Sequence, residues 1–376
     1  MLSLYIHIPF CVGKCHYCGF YSTVYTQEQA NEYVAALCLE AANNQHVFNA
    51  RTFDSVYIGG GTPTVLSSDQ LEKLIAAIHK HFHISKDAEY TIEANPKTVS
   101  DSQLTLLREA GVNRLSLGVQ SFNDDVLKTL GRLHSAREAA DAFAIARSAG
   151  FTNIGLDLIY GVPGQTDIQW NETLDRAILL KPEHVSTYSL SVDEGSRFRR
   201  DAEAGRFALP GDELVATMYE RAVNDLGLAG YSRYEISNFS LPGFICRHNM
   251  NYWERGEYLG LGPGAWSFIT GRRYRTIADV REYSLRMNAG RSIIEDEEVA
   301  SFRQAANETI MLGLRTARGV DRVRYERVFG ADTVQLLEKN AAPLKQAGLI
   351  EESKGRIRLT EKGFLLADEA LARLVL

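Results

Sequence analysis

The feature that most restricts the fold is a regular alternation of short β-rich runs and helical patterns through roughly the first 230 residues. The predicted strands are Leu2–Pro9, Ser55–Ile58, Glu89–Ala94, Arg114–Val119, Asn153–Ile159 and His184–Leu190. The predicted helices are Glu28–Phe48, Asp69–His81, Asp101–Ala110, Asp124–Leu130, Ala136–Ala149, Asp167–Leu180 and Gly211–Leu228. Repeated strand–helix units imply an α/β protein with a parallel sheet. Six such units suit a partial, open (βα)6 TIM-like barrel, and a doubly wound sheet is the alternative.

Side-chain parity along these runs separates the two architectures, because successive residues of a strand face opposite sides. In the run Arg114–Gln120, one face is apolar and the other is small or polar. The apolar face carries Leu115, Leu117 and Val119, and the other carries Ser116, Gly118 and Gln120. A doubly wound sheet is covered by helices on both faces and needs apolar residues on both. One polar face per strand therefore favours a barrel whose lumen holds a polar ligand.

Three cysteines, Cys11, Cys15 and Cys18, follow the first predicted strand in the spacing C-x3-C-x2-C. Thiolates at this spacing can converge on one soft metal centre. Three of them leave one position of a four-ligand centre open, and an open position is where chemistry takes place. The alternative is a structural zinc site completed by His7 or His16. Such sites usually come as two paired units, and this sequence contains no second unit.

Polar or glycine residues also follow the later strands, at the end of a barrel that carries its chemistry. The loop Gly59–Pro63 is expected to expose backbone N–H donors to a ligand, although ordinary turns use glycine too. Glu93 ends the third strand, and a carboxylate in a lumen needs a cationic or hydroxyl partner or a buried ion pair. Gln120, Arg132 and Asp157 complete this set. Arginine offers a planar fork to a carboxylate, and aspartate can accept from ribose hydroxyls.

The cysteine spacing resembles the signature of the radical S-adenosylmethionine (SAM) superfamily. The residues Tyr5–Phe10 before it and Gly19–Phe20 after it are similar to the branch that contains the oxygen-independent coproporphyrinogen III oxidase. The oxidase has a further cysteine where this chain has Phe20, and an N-terminal extension before its first strand, which begins here at Leu2. Both differences point to the sister family of haem chaperones, HemW.

The resemblance implies a [4Fe–4S] cluster on Cys11, Cys15 and Cys18 and a bound SAM molecule. The SAM-contacting positions of the family match Tyr5, Gly60, Gly61, Thr62, Glu93, Gln120, Arg132 and Asp157 in this chain. The glycine loop resembles the one that binds the amino group of the methionine moiety. The oxidase binds a second SAM molecule, and the sequence does not divide these positions between two sites.

After Tyr231 the alternation stops, and we expect an irregular region rich in Gly, Pro and aromatic residues. It contains an H-N-x-x-Y-W motif that resembles the haem-chaperone signature. This resemblance makes His248, Tyr252 and Trp253 the haem-contact candidates. On residue chemistry alone, a structural role is the favoured explanation of His248. One difference from the family is Trp266, which stands where a related loop often carries a histidine.

The last segment of the chain is predicted to form helices followed by a short hairpin. The helices include Ala306–Leu314 and Val334–Ala347, and the hairpin joins Leu349–Ile350 to Arg356–Thr360. This winged-helix-like α+β pattern occurs in DNA-binding proteins, but no dense basic stripe accompanies it. The resemblance implies a C-terminal lid or docking domain instead. We therefore divide the chain into a radical SAM barrel (1–235), a connecting region (236–290) and a C-terminal winged-helix-type domain (291–376).

The composition suits a globular protein, with 45% hydrophobic and 23% charged residues and a net charge of −6 that does not favour nucleic acid as a partner. Five cysteines in 376 residues are no disulfide framework. The sequence contains no long apolar run and no signal peptide. We therefore expect a cytoplasmic protein, with a peripheral position at the inner face of the membrane left open.

The resemblance implies a haem chaperone that binds haem and delivers it to haem-requiring membrane proteins such as respiratory cytochromes. A homodimer is left open. The rival function is the oxidase reaction, radical decarboxylation of porphyrinogen propionates, and a third is radical breakdown or methylation of haem. Phe20 and the short N terminus favour the chaperone without oxidase activity. Whether the protein is an enzyme is left open.

Overall fold

The computed structural model describes residues 1–375, which form one large sheet, its surrounding helices and a small C-terminal unit. The strands are β1 Leu2–Ile8, β2 Phe10–Cys11, β3 Thr23–Val24, β4 Thr52–Gly60, β5 His83–Ala94, β6 Arg114–Gln120, β7 Ile154–Tyr160, β8 His184–Ser189, β9 Ser232–Arg233, β10 Asn238–Ser240, β11 Glu257–Leu261, β12 Trp266–Ile269, β13 Arg272–Thr276, β14 Ile294–Val299, β15 Val320–Asp321, β16 Ile350–Ser353 and β17 Arg356–Leu359. The helices are α1 Gln27–Phe48, α2 Ser68–His81, α3 Asp101–Glu109, α4 Asp124–Leu130, α5 Ala136–Ser148, α6 Asp167–Leu180, α7 Arg197–Glu203, α8 Asp212–Leu228, α9 Arg247–Trp253, α10 Val280–Asn288, α11 Phe302–Leu314, α12 Arg322–Phe329, α13 Ala331–Gln346, α14 Glu361–Leu365 and α15 Ala367–Ala372.

Six strands, β1, β4, β5, β6, β7 and β8, are parallel and lie side by side in chain order. The α/β prediction with a parallel core is therefore confirmed. A further strand, β11, pairs in parallel with the free side of β1. The prediction of an irregular region after Tyr231 is wrong at this point, because β11 to β14 continue the same sheet outward from β1.

The polar faces of the parallel strands point into a lumen. A cavity of about 620 Å³ is lined by Tyr57 of β4, Glu93 of β5, Ser116 and Gln120 of β6, and Asp157 of β7. The alternate β6 residues Leu115, Leu117 and Val119 are fully buried in the hydrophobic core on the opposite face. The prediction of a polar lumen from side-chain parity is thereby confirmed. A doubly wound sheet, with apolar residues on both faces, does not agree with these strands.

The two edges of the large sheet are protected in different ways. The short β9 lies against the C-terminal unit, where Arg233 pairs with Glu361 and a β-bridge joins Glu235 to Thr316. The opposite edge strand, β14, is exposed along its whole length. Its acidic side chains pair with the arginines of β13, as Arg272–Glu297, Arg273–Glu298 and Arg275–Asp296.

The C-terminal unit combines α11, α12 and α13 with a three-stranded sheet in the order β15, β17, β16. Its predicted hairpin is confirmed, with Lys354 and Gly355 at the turn at φ values of 51° and 73°. Two positive φ angles in succession match the turn type that suits a twisted hairpin. Across residues 1–375 there is no helix long and apolar enough to cross a membrane.

Candidate functional site: a cysteine loop above a polar lumen

The three cysteines lie on a loop that is held at both ends. Cys11 ends β2, and the chain returns at β3, which pairs in parallel with β2 through Phe10↔Thr23 and Cys11↔Val24. Within the loop, the Cys18 amide donates to the Cys15 carbonyl at 3.4 Å. All three thiols are free and half-buried, and all three line the lumen cavity. The three thiols therefore face one cavity, and their convergence on a metal centre stays a prediction.

Both histidines of the zinc alternative are engaged in hydrogen bonds with both ring nitrogens. The His7 ring nitrogens contact the Tyr5 hydroxyl at 3.0 Å and the Tyr21 carbonyl at 3.1 Å. The His16 ring nitrogens contact the Thr129 carbonyl at 3.0 Å and an Arg197 nitrogen at 2.9 Å. Within the described chain, no three His, Cys, Asp or Glu side chains lie close enough to share one metal ion. Three free, half-buried thiols that line one cavity are the soft ligands that an iron–sulfur cluster would need.

Two polar side chains approach the thiols from the barrel. An Arg132 guanidinium nitrogen lies 3.4 Å from the Cys15 sulfur, and its other terminal nitrogen donates to the Gly118 carbonyl at 2.6 Å. The Thr62 hydroxyl lies 3.7 Å from the Cys11 sulfur. Burial raises the pKa of the Cys11 thiol, and the Thr62 hydrogen bond opposes this effect. The Nε of Arg132 is buried without a partner, so this guanidinium keeps an unused donor beside the cysteines.

The glycine loop does not offer the N–H donors that we predicted. The Gly60 amide donates to the Glu93 carboxylate at 3.1 Å, and the Gly61 and Thr62 amides donate to the Ile8 and Phe10 carbonyls at 2.8 and 2.7 Å. That part of the prediction is wrong. The glycines serve close packing instead, since a Cβ on Gly60 would lie 2.6 Å from the His7 ring. A cationic amino group needs acceptors, so occupied N–H groups do not oppose a role for this loop in holding one.

Two carboxylates face the lumen, and Arg114 is close enough to oppose the rise in the pKa of both. Glu93 accepts from the Tyr57 hydroxyl at 2.7 Å and from the Gly60 amide, and Asp157 accepts from the Ser116 hydroxyl at 3.1 Å. Burial raises the pKa of Glu93 to about 7 and also raises the pKa of Asp157. Neither carboxylate forms an ion pair within residues 1–375, which disagrees with the buried salt bridge offered as the alternative for Glu93. A positively charged ligand would offset the free-energy cost of burying the two ionised carboxylates.

Seven of the eight predicted SAM positions share the wall of this one cavity. They are Gly60, Gly61, Thr62, Glu93, Gln120, Arg132 and Asp157. Tyr5 lies outside the wall, with its hydroxyl on His7. Gln120 has a φ of 66° at an irregularity in the β6–β7 pairing, a conformation that is strained for a residue with a side chain. At this irregularity Gln120 departs from the regular β6–β7 pairing, and it lines the lumen.

The H-N-x-x-Y-W residues form a helix and not an open loop. Glu89 of β5 caps the first turn of α9, accepting from the Arg247 amide at 2.9 Å and the His248 amide at 3.0 Å. His248 is 1% exposed, and its ring nitrogens contact the Ser55 hydroxyl at 3.0 Å and the Tyr252 hydroxyl at 2.9 Å. The expectation of an irregular loop here is wrong. In this arrangement neither His248 nitrogen is available to a haem iron, and Trp253 is half-buried at the end of the helix.

Other lining residues went unnoticed in the sequence. Arg114, Ser186 and Tyr188 line the lumen, and Val12 and Phe20 lie at the cysteine loop. Arg114 could have been predicted to line the lumen, because it shares the strand face of Ser116 and Gln120. The exposure of Val12 and Phe20 could not be predicted from the sequence, since it depends on how β2 and β3 close the loop.

A parallel α/β sheet with three cysteines at the mouth of its lumen defines the radical SAM class of protein. Residues 5–177 match the family model described as the radical SAM superfamily, and residues 301–366 match the HemN C-terminal domain. The solved structure of coproporphyrinogen III oxidase (HemN) from Escherichia coli, described as a radical SAM enzyme, is similar with a TM-score of 0.88 and 26% identity, covering 100% of this chain and 90% of that one.

Closer relatives in sequence are named heme chaperone HemW. The protein from Bacillus subtilis is 39% identical over 98% of each chain, and the one from Lactococcus lactis is 37% identical over 100% of this chain and 97% of the relative. This chain belongs to the HemW family.

Proposed function

We propose that this protein is a haem carrier that holds a [4Fe–4S] cluster on Cys11, Cys15 and Cys18, binds SAM in the lumen, and passes haem to apoproteins such as respiratory cytochromes. The observation that carries the choice of carrier over oxidase is Phe20. It stands where the resemblance puts a further cysteine in the oxidase, and it is 67% exposed. When bound, the cluster and SAM would supply redox chemistry, and this chain's own residues hold and orient them.

Support for a haem site comes from an apolar rim at the mouth of the cavity. Val12, Phe20 and Leu133 line the cavity there and are each more than half exposed. Exposed Lys14 lies on the same loop and forms no ion pair within the described residues. A haem has a broad apolar face and two propionates, so a rim of this kind with a free cation matches its chemistry. His248, Tyr252 and Trp253 form the alternative site, which would require α9 to open.

A haem titration separates the two sites. Phe20→Asp should weaken haem binding at least about tenfold, because it removes an apolar contact of roughly 1.5–3 kcal/mol and adds a charge. His248→Ala should leave the position of the Soret band and the affinity unchanged, while lowering stability through the lost Ser55 and Tyr252 hydrogen bonds. Trp253→Phe is the conservative control for the alternative site. A band that shifts in His248→Ala and not in Phe20→Asp would place the haem at α9.

A second prediction concerns the oxidase reaction. Incubated without oxygen with coproporphyrinogen III, SAM and a reductant, the cluster-loaded protein should form no protoporphyrinogen IX, as read by product mass. The reason is that the position of the additional oxidase cysteine carries the exposed Phe20. Phe20→Cys tests whether that one side chain is sufficient to change the outcome. Multiple turnovers by the unaltered protein would replace the carrier with the enzyme.

A further inference from the structure

The innermost part of the lumen contains a buried arginine that forms no ion pair within residues 1–375. Arg114 begins β6, is 2% exposed, and lines the cavity. Its Nε is buried without a hydrogen bond, and its guanidinium forms no ion pair in the part of the chain that the structure describes. An unpaired buried charge is costly, and native proteins rarely keep one without a ligand or a partner.

The carboxylates close to Arg114 are Glu89, Glu93 and Asp157, and each accepts hydrogen bonds from other groups. Burial lowers the pKa of the Arg114 guanidinium, Cys246 raises it, and Glu89 is also close enough to raise it. Its two oxygens, however, accept from the Cys246 thiol at 3.3 Å and from the first two amides of α9. Glu89 therefore neutralises a helix end and leaves the Arg114 fork free.

The space around Arg114 is kept open and carries further donors. A Cβ on Gly155 would lie 3.4 Å from an Arg114 terminal nitrogen and 3.3 Å from His184 Nδ1. His184 is buried, its Nε2 contacts the Tyr234 hydroxyl at 2.7 Å, and its Nδ1 has no partner. Asn249 of α9 lines the cavity, whereas His184 lies behind its wall. Glycine at position 155 thus avoids a close contact with both the Arg114 and the His184 side chains.

This region is separate from the cysteines. Arg114 and Gln120 are the two ends of β6, which at the rise of a β-strand puts them about 20 Å apart. Gln120 and Arg132 lie toward the cysteine loop, and Arg114 lies at the opposite end of the same strand face. A ligand group held by Arg114 is therefore not the group that meets the cysteines.

We propose that Arg114, with Asn249 in the wall of the same cavity, forms a subsite for a carboxylate at the floor of the lumen. The planar guanidinium fork matches the two oxygens of a carboxylate. The subsite does not depend on haem transport, and nothing in the proposed function requires it.

The test uses the full-length, cluster-loaded protein and acetate as the probe, with ionic strength held constant by chloride. Acetate at roughly 50 mM should raise the Tm of the parent by about 3 °C, and the neutral isostere acetamide should not. Arg114→Met should abolish the acetate shift. The exposed Arg137→Met is the matched control and should keep the shift.

Three results would overturn the subsite. One is an absence of any acetate shift in the parent. The second is an equal shift in Arg114→Met. The third is a shift produced by SAM but not by acetate and dependent on Arg114, which would assign the carboxylate to SAM itself. If Arg114→Met does not fold, Asn249→Leu decides, and it should weaken acetate binding at least threefold.

Discussion

Alanine at Cys11, Cys15 and Cys18 together should leave the reconstituted protein without iron, against about four irons per chain in the parent. The thiols are the soft ligands at the mouth of the lumen, and the neighbouring histidines are held by other hydrogen bonds. No other side chain in this loop can replace a thiolate. The measurement is iron and sulfide content after anaerobic reconstitution.

The matched control is Cys38→Ala, which removes a thiol that lies on α1, away from the cavity. This variant should bind as much iron as the parent. The triple variant should also remain folded, because its three side chains are half-buried on a loop whose ends are held by β2 and β3. A folded triple variant that keeps its iron would contradict the assignment.

Glu93→Gln should stabilise the ligand-free protein while weakening SAM binding. Burial raises the pKa of Glu93 from 4.5 to about 7. Each pKa unit corresponds to about 1.4 kcal/mol, so the buried carboxylate costs at most about 3 kcal/mol of stability at high pH. Glutamine keeps the shape and removes the charge, but Tyr57 and Gly60 donate to different oxygens of Glu93, and glutamine keeps only one of these two acceptors.

The pH dependence has a definite sign. Between about pH 4.5 and 7 the folded protein keeps the Glu93 proton and the unfolded chain does not, so this group lowers stability as the pH rises. Below that window both states are protonated, and above it the penalty is constant. The stability difference between Glu93→Gln and the parent should therefore grow across this window. Urea unfolding at several pH values measures it, and a difference that stays flat would mean that Glu93 is not perturbed.

The same variant should bind SAM at least about tenfold more weakly, since a hydrogen bond to a charged group contributes roughly 1.5–3 kcal/mol. Calorimetry or the change in the cluster's electron paramagnetic resonance spectrum on adding SAM reports the affinity. The exposed Glu109→Gln is the control for loss of one negative charge, and neither its stability profile nor its affinity should change. Unaltered SAM affinity in Glu93→Gln would remove Glu93 from the binding site.

Local patterns in the sequence were sufficient to predict the parallel strands and helices of the core. The helix Asp167–Leu180 and the strand start at Arg114 agree with the structure, because caps, strand parity and apolar spacing are properties of neighbouring residues. The same parity predicted which side chains of β6 face the lumen. The three cysteines lie on one short loop and line one cavity, as their spacing in the sequence suggests.

What could not be predicted depends on contacts between distant residues. The cap of α9 is Glu89, which lies more than 150 positions earlier in the chain, so the helix around His248 carries no local start signal. The strand β11 is short and contains a glycine, and it pairs with β1, which lies about 255 positions earlier in the chain. The amides of the glycine loop are used by Ile8, Phe10 and Glu93, which no spacing rule reveals.

The charged edge strand β14 has a consequence for how copies of this protein meet. An exposed strand offers a row of unpaired backbone groups, and a second molecule could extend the sheet there. Two β14 strands brought side by side would oppose the acidic runs Glu295–Glu298 of both copies, whose four charges the three arginines of β13 offset only in part. Like charges directly across from one another disfavour such pairing, and salt screens that repulsion. Repulsion between like charges therefore disfavours self-association through this edge. Self-association should become more favourable as ionic strength rises or as these carboxylates are neutralised.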